Sequence, residues 1–250
     1  MSLDLLDIFN AHSGVVCCVG AGGKKSTMFQ LAKTHPGRVG ITATAHIEYF
    51  PKTLAATNYI GTENDLLEAI KNDNSSRAIA FAKPSERPGR RAGISTELVQ
   101  TFKDAGGFDL VLIKADGARG RSIKAPAEHE PPVPACADTV IPVVSAKVIG
   151  MKLTTKIAHR IDRLSTITGL NEHDEIRPEH IARLLSSAEG SLKNTGTAKV
   201  IPVINMIDYS EQKVLAREAA RQALSMTDRF DLVVLAAMNK NEPIVDVIKS

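Results

Sequence analysis

Short, continuous runs of apolar residues recur along this chain and alternate with amphipathic segments. Runs bounded by turn residues predict buried β-strands, and segments with a repeat near 3.6 residues predict helices. Strands are predicted at residues 15–19, 39–44, 58–61, 78–82, 109–116, 139–145, 198–205 and 230–238. Helices are predicted at residues 3–9, 28–33, 63–72, 95–105, 178–192 and 210–226. Because the strand runs are apolar throughout, the sequence predicts an α/β fold with a doubly wound, mostly parallel sheet and helices on both faces.

The length of 250 residues suits a single α/β domain over residues 1–250, with residues 145–197 as the candidate for a small insertion. Three cysteines, two of them adjacent in a predicted strand, form no disulfide framework, and buried reduced thiols favour a cytoplasmic protein. No segment approaches about 18 uninterrupted apolar residues, so no membrane partner is expected. A formal charge of +3, 4% aromatic residues and the absence of Trp argue against nucleic acid as a partner.

The first predicted strand runs directly into a glycine cluster. The segment from Val15 to Thr27 reads V-V-C-C-V-G-A-G-G-K-K-S-T, so two lysines and two hydroxyl groups stand where a helix begins. Glycines let backbone N–H groups converge on an anion, a helix N-terminus adds positive charge, and a lysine supplies a mobile cation. The candidate phosphate-binding residues are Gly20, Ala21, Gly22, Gly23, Lys24, Lys25, Ser26 and Thr27.

The spacing of this loop departs from both standard nucleotide-binding motifs. In the P-loop pattern G-x-x-x-x-G-K-[ST], Val19 and Lys24 would occupy the two glycine positions, so a shortened loop fits better. In the dinucleotide pattern G-x-G-x-x-G, Lys25 takes the place of the third glycine, and the second strand lacks the acidic residue that would hold a ribose. A plain glycine turn without a ligand is the alternative interpretation.

A second informative stretch runs from Asp109 to Pro134. Its predicted strand ends at Asp116, where a P-loop protein places a carboxylate that holds Mg²⁺ directly or through water. Arg119 and further cations follow, next to glycines that permit sharp turns near phosphates. A strand that ends in Asp is common by itself. The preceding glycine loop strengthens the interpretation of Asp116 as a metal ligand.

Polar residues elsewhere are candidates for binding a substrate. Thr44 follows a strand at the sheet edge where open α/β sheets place ligands, although a plain loop threonine is the alternative. In the stretch from Asp109 to Pro134, Lys124, His129 and Glu130 are further candidates. His129, flanked by the carboxylates of Glu128 and Glu130, is a candidate to bind a metal or relay a proton. Because adjacent side chains of an extended segment point apart, salt bridges are the alternative to a metal site or a proton relay here. Arg160 either faces the site or lies on a solvated helix surface.

The strand predicted at residues 198–205 ends in the tetrapeptide N-M-I-D. In GTPases the element N-K-x-D reads guanine through its Asp, and here Asn205 and Asp208 match that pattern while Met206 replaces the lysine. A methionine can still lie over a purine ring. Guanine recognition by Asn205 and Asp208 is therefore one interpretation, and a simple turn at a strand end is the other.

Together these motifs resemble the YqeC family, also called selenium cofactor biosynthesis or selenium-dependent hydroxylase accessory proteins. The resemblance rests on V-G-A-G-G-K, on A-D-G-A-R-G-R-S-I-K-A-P-A-E-H-E-P-P-V-P, and on the weaker A-H-R and V-I-N-M-I-D. It implies a P-loop NTPase-like protein that binds ATP or GTP with Mg²⁺ and assists the maturation of a molybdenum hydroxylase client. By this resemblance Lys24 is the loop lysine and Asp116 belongs to the family's D-G-A motif.

The roles expected for a P-loop protein follow from these positions. Lys24 or Lys25 would hold the β- and γ-phosphates, and Arg119 would stabilise charge on a transferred phosphoryl group. Ser26 (or Thr27) and Asp116 would hold Mg²⁺.

Two departures from the family pattern bear on hydrolysis. Lys25 stands where the family usually has Thr, and Lys114 stands where it commonly has Glu. A cation near a Mg²⁺ site opposes the metal, which favours a non-hydrolysing carrier or scaffold for an anionic cofactor such as a pterin phosphate. A phosphoryl or nucleotidyl transferase is a further alternative.

Overall fold

The computed structural model describes residues 4–250, so the predicted first helix begins at a residue outside the described part of the chain. The helices are α1 Leu5–Ile8, α2 Lys24–Thr34, α3 Glu63–Asn72, α4 Val99–Gly106, α5 Ile161–Thr168, α6 Pro178–Ser186 and α7 Ser210–Ser225. The strands are β1 Gly14–Gly20, β2 Val39–Ala43, β3 Ile47–Glu48, β4 Thr57–Ile60, β5 Ala78–Ala82, β6 Arg90–Arg91, β7 Leu110–Lys114, β8 Ile123–Lys124, β9 Thr139–Ser145, β10 Ala158–His159, β11 Lys199–Val200, β12 Val203–Asn205, β13 Leu232–Ala236 and β14 Ile244–Lys249.

The described chain forms two compact units. Unit 1 takes the described residues up to Cys18, Thr27–Gly117 and Pro132–Thr139. Unit 2 takes Val19–Ser26, Ala118–Pro131 and Val140–Ser250. Each unit therefore draws on segments that are far apart in sequence. The single domain with an insertion at residues 145–197 stays a prediction.

Unit 1 is built on a parallel sheet in the order β4-β5-β2-β7-β1. Strands β2, β5 and β7 are buried at every position, because both of their faces are covered, and this explains their continuous apolar sequence. Phe81 of β5 stacks on Phe102 and Phe108, and the ring centroids lie 5.0 and 6.1 Å from that of Phe81.

Unit 2 has the strand order β9-β12-β13-β14, with β11 beside β9. Strands β9, β12 and β13 are parallel, and β14 is antiparallel to β13. A separate parallel pair joins β8 to β10. Helices α6 and α7 pack together, and α7 buries Ala216, Ala219, Ala220 and Ala223. These positions lie on one helical face, and their small side chains let α7 approach its neighbours closely.

The predicted fold class is confirmed: the chain is α/β, with a mostly parallel sheet and interleaved helices, in the manner of a doubly wound, P-loop-like fold. The strands predicted at residues 78–82 and 139–145 and the helix predicted at 63–72 match the observed bounds. These are segments whose hydrophobic period is long or uninterrupted, so the local pattern suffices to locate them.

The helix predicted from Ser95 begins differently. A 3₁₀ turn at Thr96–Leu98 precedes α4, and the Ser95 side chain makes no capping hydrogen bond. Instead the Ser95 backbone N–H and hydroxyl donate to Glu63 Oε1 at 2.6 and 2.8 Å, and Lys83 Nζ donates to the same atom at 3.0 Å. The Ser95 hydroxyl therefore binds the carboxylate of Glu63, which is distant in sequence, and it does not cap the helix.

Some predicted elements have different bounds in the structure, and some short or edge strands were not predicted. The strand at residues 198–205 is divided into β11 and β12, because Pro202 has no N–H to donate to a sheet. The helix at residues 178–192 ends at Ser186, and β14 was not predicted. The two-residue strand β6 was not predicted either, and there the Arg91 guanidinium lies 4.6 Å from the centroid of the Tyr49 ring.

The cysteine prediction holds for two of the three residues. Cys17 and Cys18 are buried free thiols, whereas Cys136 is free but only half-buried. Burial raises the pKa of the thiols of Cys17 and Cys136, so both favour the protonated form. Across residues 4–250, every helix is too short or too polar to cross a membrane.

Candidate functional site

The glycine cluster forms a tight loop between β1 and α2. Gly20, Gly22 and Gly23 have φ values of 87°, 87° and 130°, in the left-handed region that favours glycine. The loop also lies against the backbone of β9: a Cβ on Gly20 would stand 2.4 Å from Val143 O, and one on Gly22 would stand 2.6 Å from Ser145 N. Two independent constraints, backbone angle and space, therefore require glycine here.

Asn205, at the end of β12, holds this loop in place. Its Nδ2 donates to Gly22 O at 2.9 Å, and its Oδ1 accepts from the backbone N–H of Met238 at 2.9 Å. A Cβ on Gly23 would stand only 2.0 Å from Asn205 Nδ2. The amide is 2% exposed, so its polar atoms must be satisfied inside the protein, and both are. Asn205 therefore positions the loop.

Helix α2 begins at Lys24, immediately after the last glycine and four residues earlier than predicted. Its first turn contains two lysines and no acidic residue. Lys24 is buried, and its Nζ donates to Gly20 O within the loop, whereas Lys25 is half-buried. Among the predicted hydroxyl ligands, Ser26 is half-buried and Thr27 is fully buried.

Thr44 and Asp116, which are predicted site residues that follow strands β2 and β7, lie in unit 1. Asp116 follows β7 and is 2% exposed. Lys114, at the end of the same strand, is buried and donates from Nζ to His46 O at 2.5 Å. The Thr44 hydroxyl donates to Pro132 O at 2.7 Å, which fixes a loop backbone and commits the only proton of that hydroxyl.

Glu130, Lys124 and Arg160 form one ion cluster in unit 2. Arg160 binds the Glu130 carboxylate through two nitrogens, at 2.7 Å to Oε2 and 2.9 Å to Oε1, and Lys124 Nζ donates to Oε2 at 2.7 Å. Burial alone would raise the pKa of Glu130, but the hydrogen bonds from Arg160 and Lys124 lower it below its ordinary value. The salt bridges that the sequence offers as an alternative for Glu130 are present, and substrate binding by these residues stays a prediction.

Arg160 owes its place to the backbone around it. Strands β8 and β10 pair so that His159 lies opposite Lys124. Arg160 then adopts φ 67° as the residue that precedes α5. This left-handed turn directs the chain from β10 into the helix. Arg160 of the A-H-R motif thereby contacts Glu130, which lies 30 residues earlier in the sequence.

His129 lies outside this cluster. Its side chain is exposed, as is that of Glu128, while Glu130 turns inward to the cations. Residues 128 and 129 form a turn that is closed by a hydrogen bond from the backbone N–H of Glu130 to Ala127 O at 3.1 Å, so the segment is not extended as the sequence suggests. Within residues 4–250, the three side chains that approach closely enough to share a metal ion are the exposed Asp4, Asp7 and His12, not the group around His129.

Asp208 is held by lysines of unit 2. Its carboxylate lies 2.7 Å from Lys147 Nζ and 3.7 Å from Lys240 Nζ. The hydrogen bond with Lys147 lowers the pKa of Asp208 and raises that of the lysine. Met206, in the position of the guanine-packing lysine, has φ 64°, and its Sδ accepts from the Ser145 hydroxyl at 3.3 Å.

Arg119, predicted to stabilise transferred phosphoryl groups, is exposed and has φ 50°. It lines an open cleft of about 360 Å³ in unit 2 together with Arg121, His159 and Arg160. The structure thus brings the cations that follow Asp116 in sequence together with the A-H-R motif.

Comparison with known proteins agrees with the motifs. A family model described as "YqeC protein" matches residues 16–162. The chain belongs to the YqeC family. It is also 31% identical over 187 residues, 72% of this chain and 70% of the relative, to a protein of Escherichia coli (strain K12) named "Uncharacterized protein YqeC".

Within this YqeC chain, the matched region holds the glycine loop, Asp116 and the ion cluster, whereas Asn205 and Asp208 lie beyond it. The sequence interpretation missed Ser145 and Lys147, which contact Met206 and Asp208. One signal was available for Ser145: it is the polar last residue of a buried parallel strand, at the edge where such sheets collect polar groups.

Proposed function

We propose that the glycine loop of this YqeC protein binds the phosphates of ATP or GTP with Mg²⁺. The observation that carries the proposal is the start of α2, where three glycines with positive φ lead directly into a helix whose first turn holds two lysines and no acid.

The electrostatics of that first turn favour an anion. A helix N-terminus carries about half a positive charge, and it is normally stabilised by Asp or Glu in the first turn. Here Lys24 and Lys25 add like charge instead, which costs folding free energy unless an anion offsets it. A triphosphate supplies that anion, and loop N–H groups supply hydrogen-bond donors.

We assign the phosphate lysine to Lys24. Its buried Nζ already lies inside the loop on Gly20 O, and a phosphate oxygen would take the place of that carbonyl as acceptor. Lys25 is half-buried and serves as the second cation. Ser26, half-buried in the first turn, is the better placed of the two hydroxyls as a Mg²⁺ ligand, and Asp116 stays the predicted carboxylate ligand.

The wider role proposed is assistance in the maturation of a molybdenum- or selenium-dependent hydroxylase, which the family resemblance supports. It is tested by deleting the gene and measuring the molybdenum and selenium content and the activity of the cell's hydroxylases. Restoration by the wild type but not by the double variant Lys24→Ala/Lys25→Ala is expected. Unchanged hydroxylases in the deletion strain would refute the role and leave nucleotide binding unaffected.

A non-hydrolysing carrier of an anionic cofactor is the second candidate, and Lys114 favours it. This lysine is 8% exposed and lies two residues before Asp116 on the strand that leads to the predicted metal ligand. A buried cation there opposes a divalent metal. A carrier would bind nucleotide or pterin phosphate without releasing phosphate at any Mg²⁺ concentration.

Calorimetry with a non-hydrolysable ATP or GTP analogue tests phosphate binding directly. The double variant Lys24→Ala/Lys25→Ala should lose most of the affinity, because two charge-assisted contacts disappear. Lys33→Ala, at the exposed last turn of the same helix, is the matched control and should bind as the wild type does. Unchanged binding in the double variant would end the proposal. Phosphate release by the wild type then separates an NTPase from a carrier.

A further inference from the structure

A cleft of about 360 Å³ opens in unit 2, with a lining that comes from residues 119–121, 155–162 and 172. Its volume falls within the range of small-molecule sites. The charged groups on its walls are Arg119, Arg121, His159, Arg160, Asp162 and Glu172. None of these residues belongs to the glycine loop, so the cleft and the loop share no lining residue.

The arginines of this cleft differ in how their charge is balanced. Arg160 is bound through two nitrogens by Glu130, which fixes its guanidinium and compensates its charge. Among residues 4–250, by contrast, the side chains of Arg119 and Arg121 form neither a salt bridge nor a hydrogen bond. Two guanidinium groups therefore border the cleft with all of their donors available to a ligand.

Most of the charges that act on His159 in the cleft are positive. The pKa of His159 is lowered from its ordinary value, first by burial and then by the charges of Arg160, Lys124 and Arg119. The walls also hold the carboxylate of Asp162, which lies in the first turn of α5 and is exposed to solvent that screens its charge. Glu172 is likewise exposed.

We propose that the arginine cleft, defined by Arg119, Arg121 and His159, binds the phosphate group of a small metabolite, at a site separate from the glycine loop. A phosphomonoester carries between one and two negative charges near neutral pH, which suits two guanidinium groups that have no carboxylate in hydrogen-bond contact. Arginine binds phosphate oxygens in pairs of parallel hydrogen bonds, and the imidazole of His159 adds a third donor. This proposal does not depend on what the loop binds.

Inorganic phosphate is the probe, and the ring resonances of His159 in NMR spectra are the readout. The variant His159→Gln identifies these resonances among the seven histidines. We expect saturable shifts in the wild type and at least about tenfold weaker binding in Arg119→Gln/Arg121→Gln, because each lost charged hydrogen bond is costly. Arg163→Gln, an exposed arginine on α5 outside the lining, is the matched control and should titrate as the wild type does.

Three outcomes would overturn the proposal. One is an unchanged titration in Arg119→Gln/Arg121→Gln, provided that its amide spectrum otherwise overlays that of the wild type. Another is loss of the His159 response in Lys24→Ala/Lys25→Ala, which would place the phosphate in the loop. The third is equally tight binding of acetate, which would make the cleft a general anion site. The single variant Arg121→Gln should retain nucleotide binding by calorimetry, so the two proposals fail independently.

Discussion

The side-chain amide of Asn205 joins the glycine loop to the end of β12, because its Nδ2 donates to Gly22 O at 2.9 Å across 183 residues of sequence. The same amide accepts from the N–H of Met238 at 2.9 Å. One buried side chain thus connects the loop to the segments that end β12 and β13. The shape of the loop is set by this contact as much as by its own glycines.

Replacing Asn205 by alanine should destabilise the protein and loosen the loop. The buried N–H of Met238 and the carbonyl of the half-buried Gly22 lose their partner, so we expect the free energy of unfolding to fall by about 2 to 3 kcal/mol. Urea denaturation measures this change, and calorimetry should show weaker nucleotide binding. Asn58→Ala is the control, since that exposed amide donates only to Ala56 O and its loss should cost less than about 0.5 kcal/mol. Equal stability losses in the two variants would contradict the assigned role.

Substituting Gly23 by alanine should be costlier than substituting another glycine with positive φ. The new Cβ would meet Asn205 Nδ2 at 2.0 Å, whereas at Gly150, with φ 86°, nothing lies within 4 Å. Gly150→Ala should cost about 1 kcal/mol from backbone strain alone, and Gly23→Ala should cost clearly more. Thermal unfolding of both variants measures the difference. If the clash explains the excess, then adding Asn205→Ala to Gly23→Ala will destabilise less than the sum of the single effects.

Replacing Glu130 by glutamine should lower the free energy of unfolding, because Lys124 and Arg160 share the Glu130 carboxylate. Two largely buried cations would lose their compensation, and we expect a loss of about 2 to 3 kcal/mol at neutral pH. Glu189→Gln is the control, because its pair with Lys193 is solvent-exposed at the glutamate and should contribute less than about 1 kcal/mol. Urea denaturation at pH 7 compares the two.

The Glu130 contribution should also depend on pH in a defined direction. Its folded pKa is lowered, so the carboxylate stabilises the protein above its unfolded pKa, about 4.3, and this stabilisation is lost as pH falls through the folded pKa. The difference between wild type and Glu130→Gln should therefore be constant at neutral pH and shrink below about pH 4. A difference that grows on acidification would show that the carboxylate is not the stabilising group.

Asp208→Asn tests guanine recognition. The Asp208 carboxylate is held by Lys147 and Lys240, and the Asn205 amide is committed to the loop, so we expect no preference for GTP over ATP. The ratio of the two affinities should stay within about threefold of unity in the wild type and in the variant. Competition with a fluorescent nucleotide measures it, with the exposed Asp231→Asn as control. A selective loss of GTP binding in Asp208→Asn would instead establish the base contact.

Local patterns explain how much could be predicted. Strands β5 and β9 and helix α3 were located correctly, because each has an uninterrupted period and clear boundary residues. The two-residue strands β8 and β10 escaped, since a pair of residues has no period to detect. The helix predicted from Ser95 begins later, because only the folded chain brings Glu63 to the backbone N–H and hydroxyl of Ser95.

The sequence by itself determined the α/β class, the glycine loop, its lysines and the family, because all of these follow from residue type and local order. Only the tertiary structure decided which polar side chains meet. Asn205 reaches Gly22, and Arg160 reaches Glu130, through strand pairings that join distant segments, and no local pattern encodes those pairings. Some side chains that the sequence suggests as substrate ligands, such as those of Lys124, Glu130 and Arg160, therefore bind one another in the structure. Burial is the physical reason: a polar group removed from water must find a partner inside the protein.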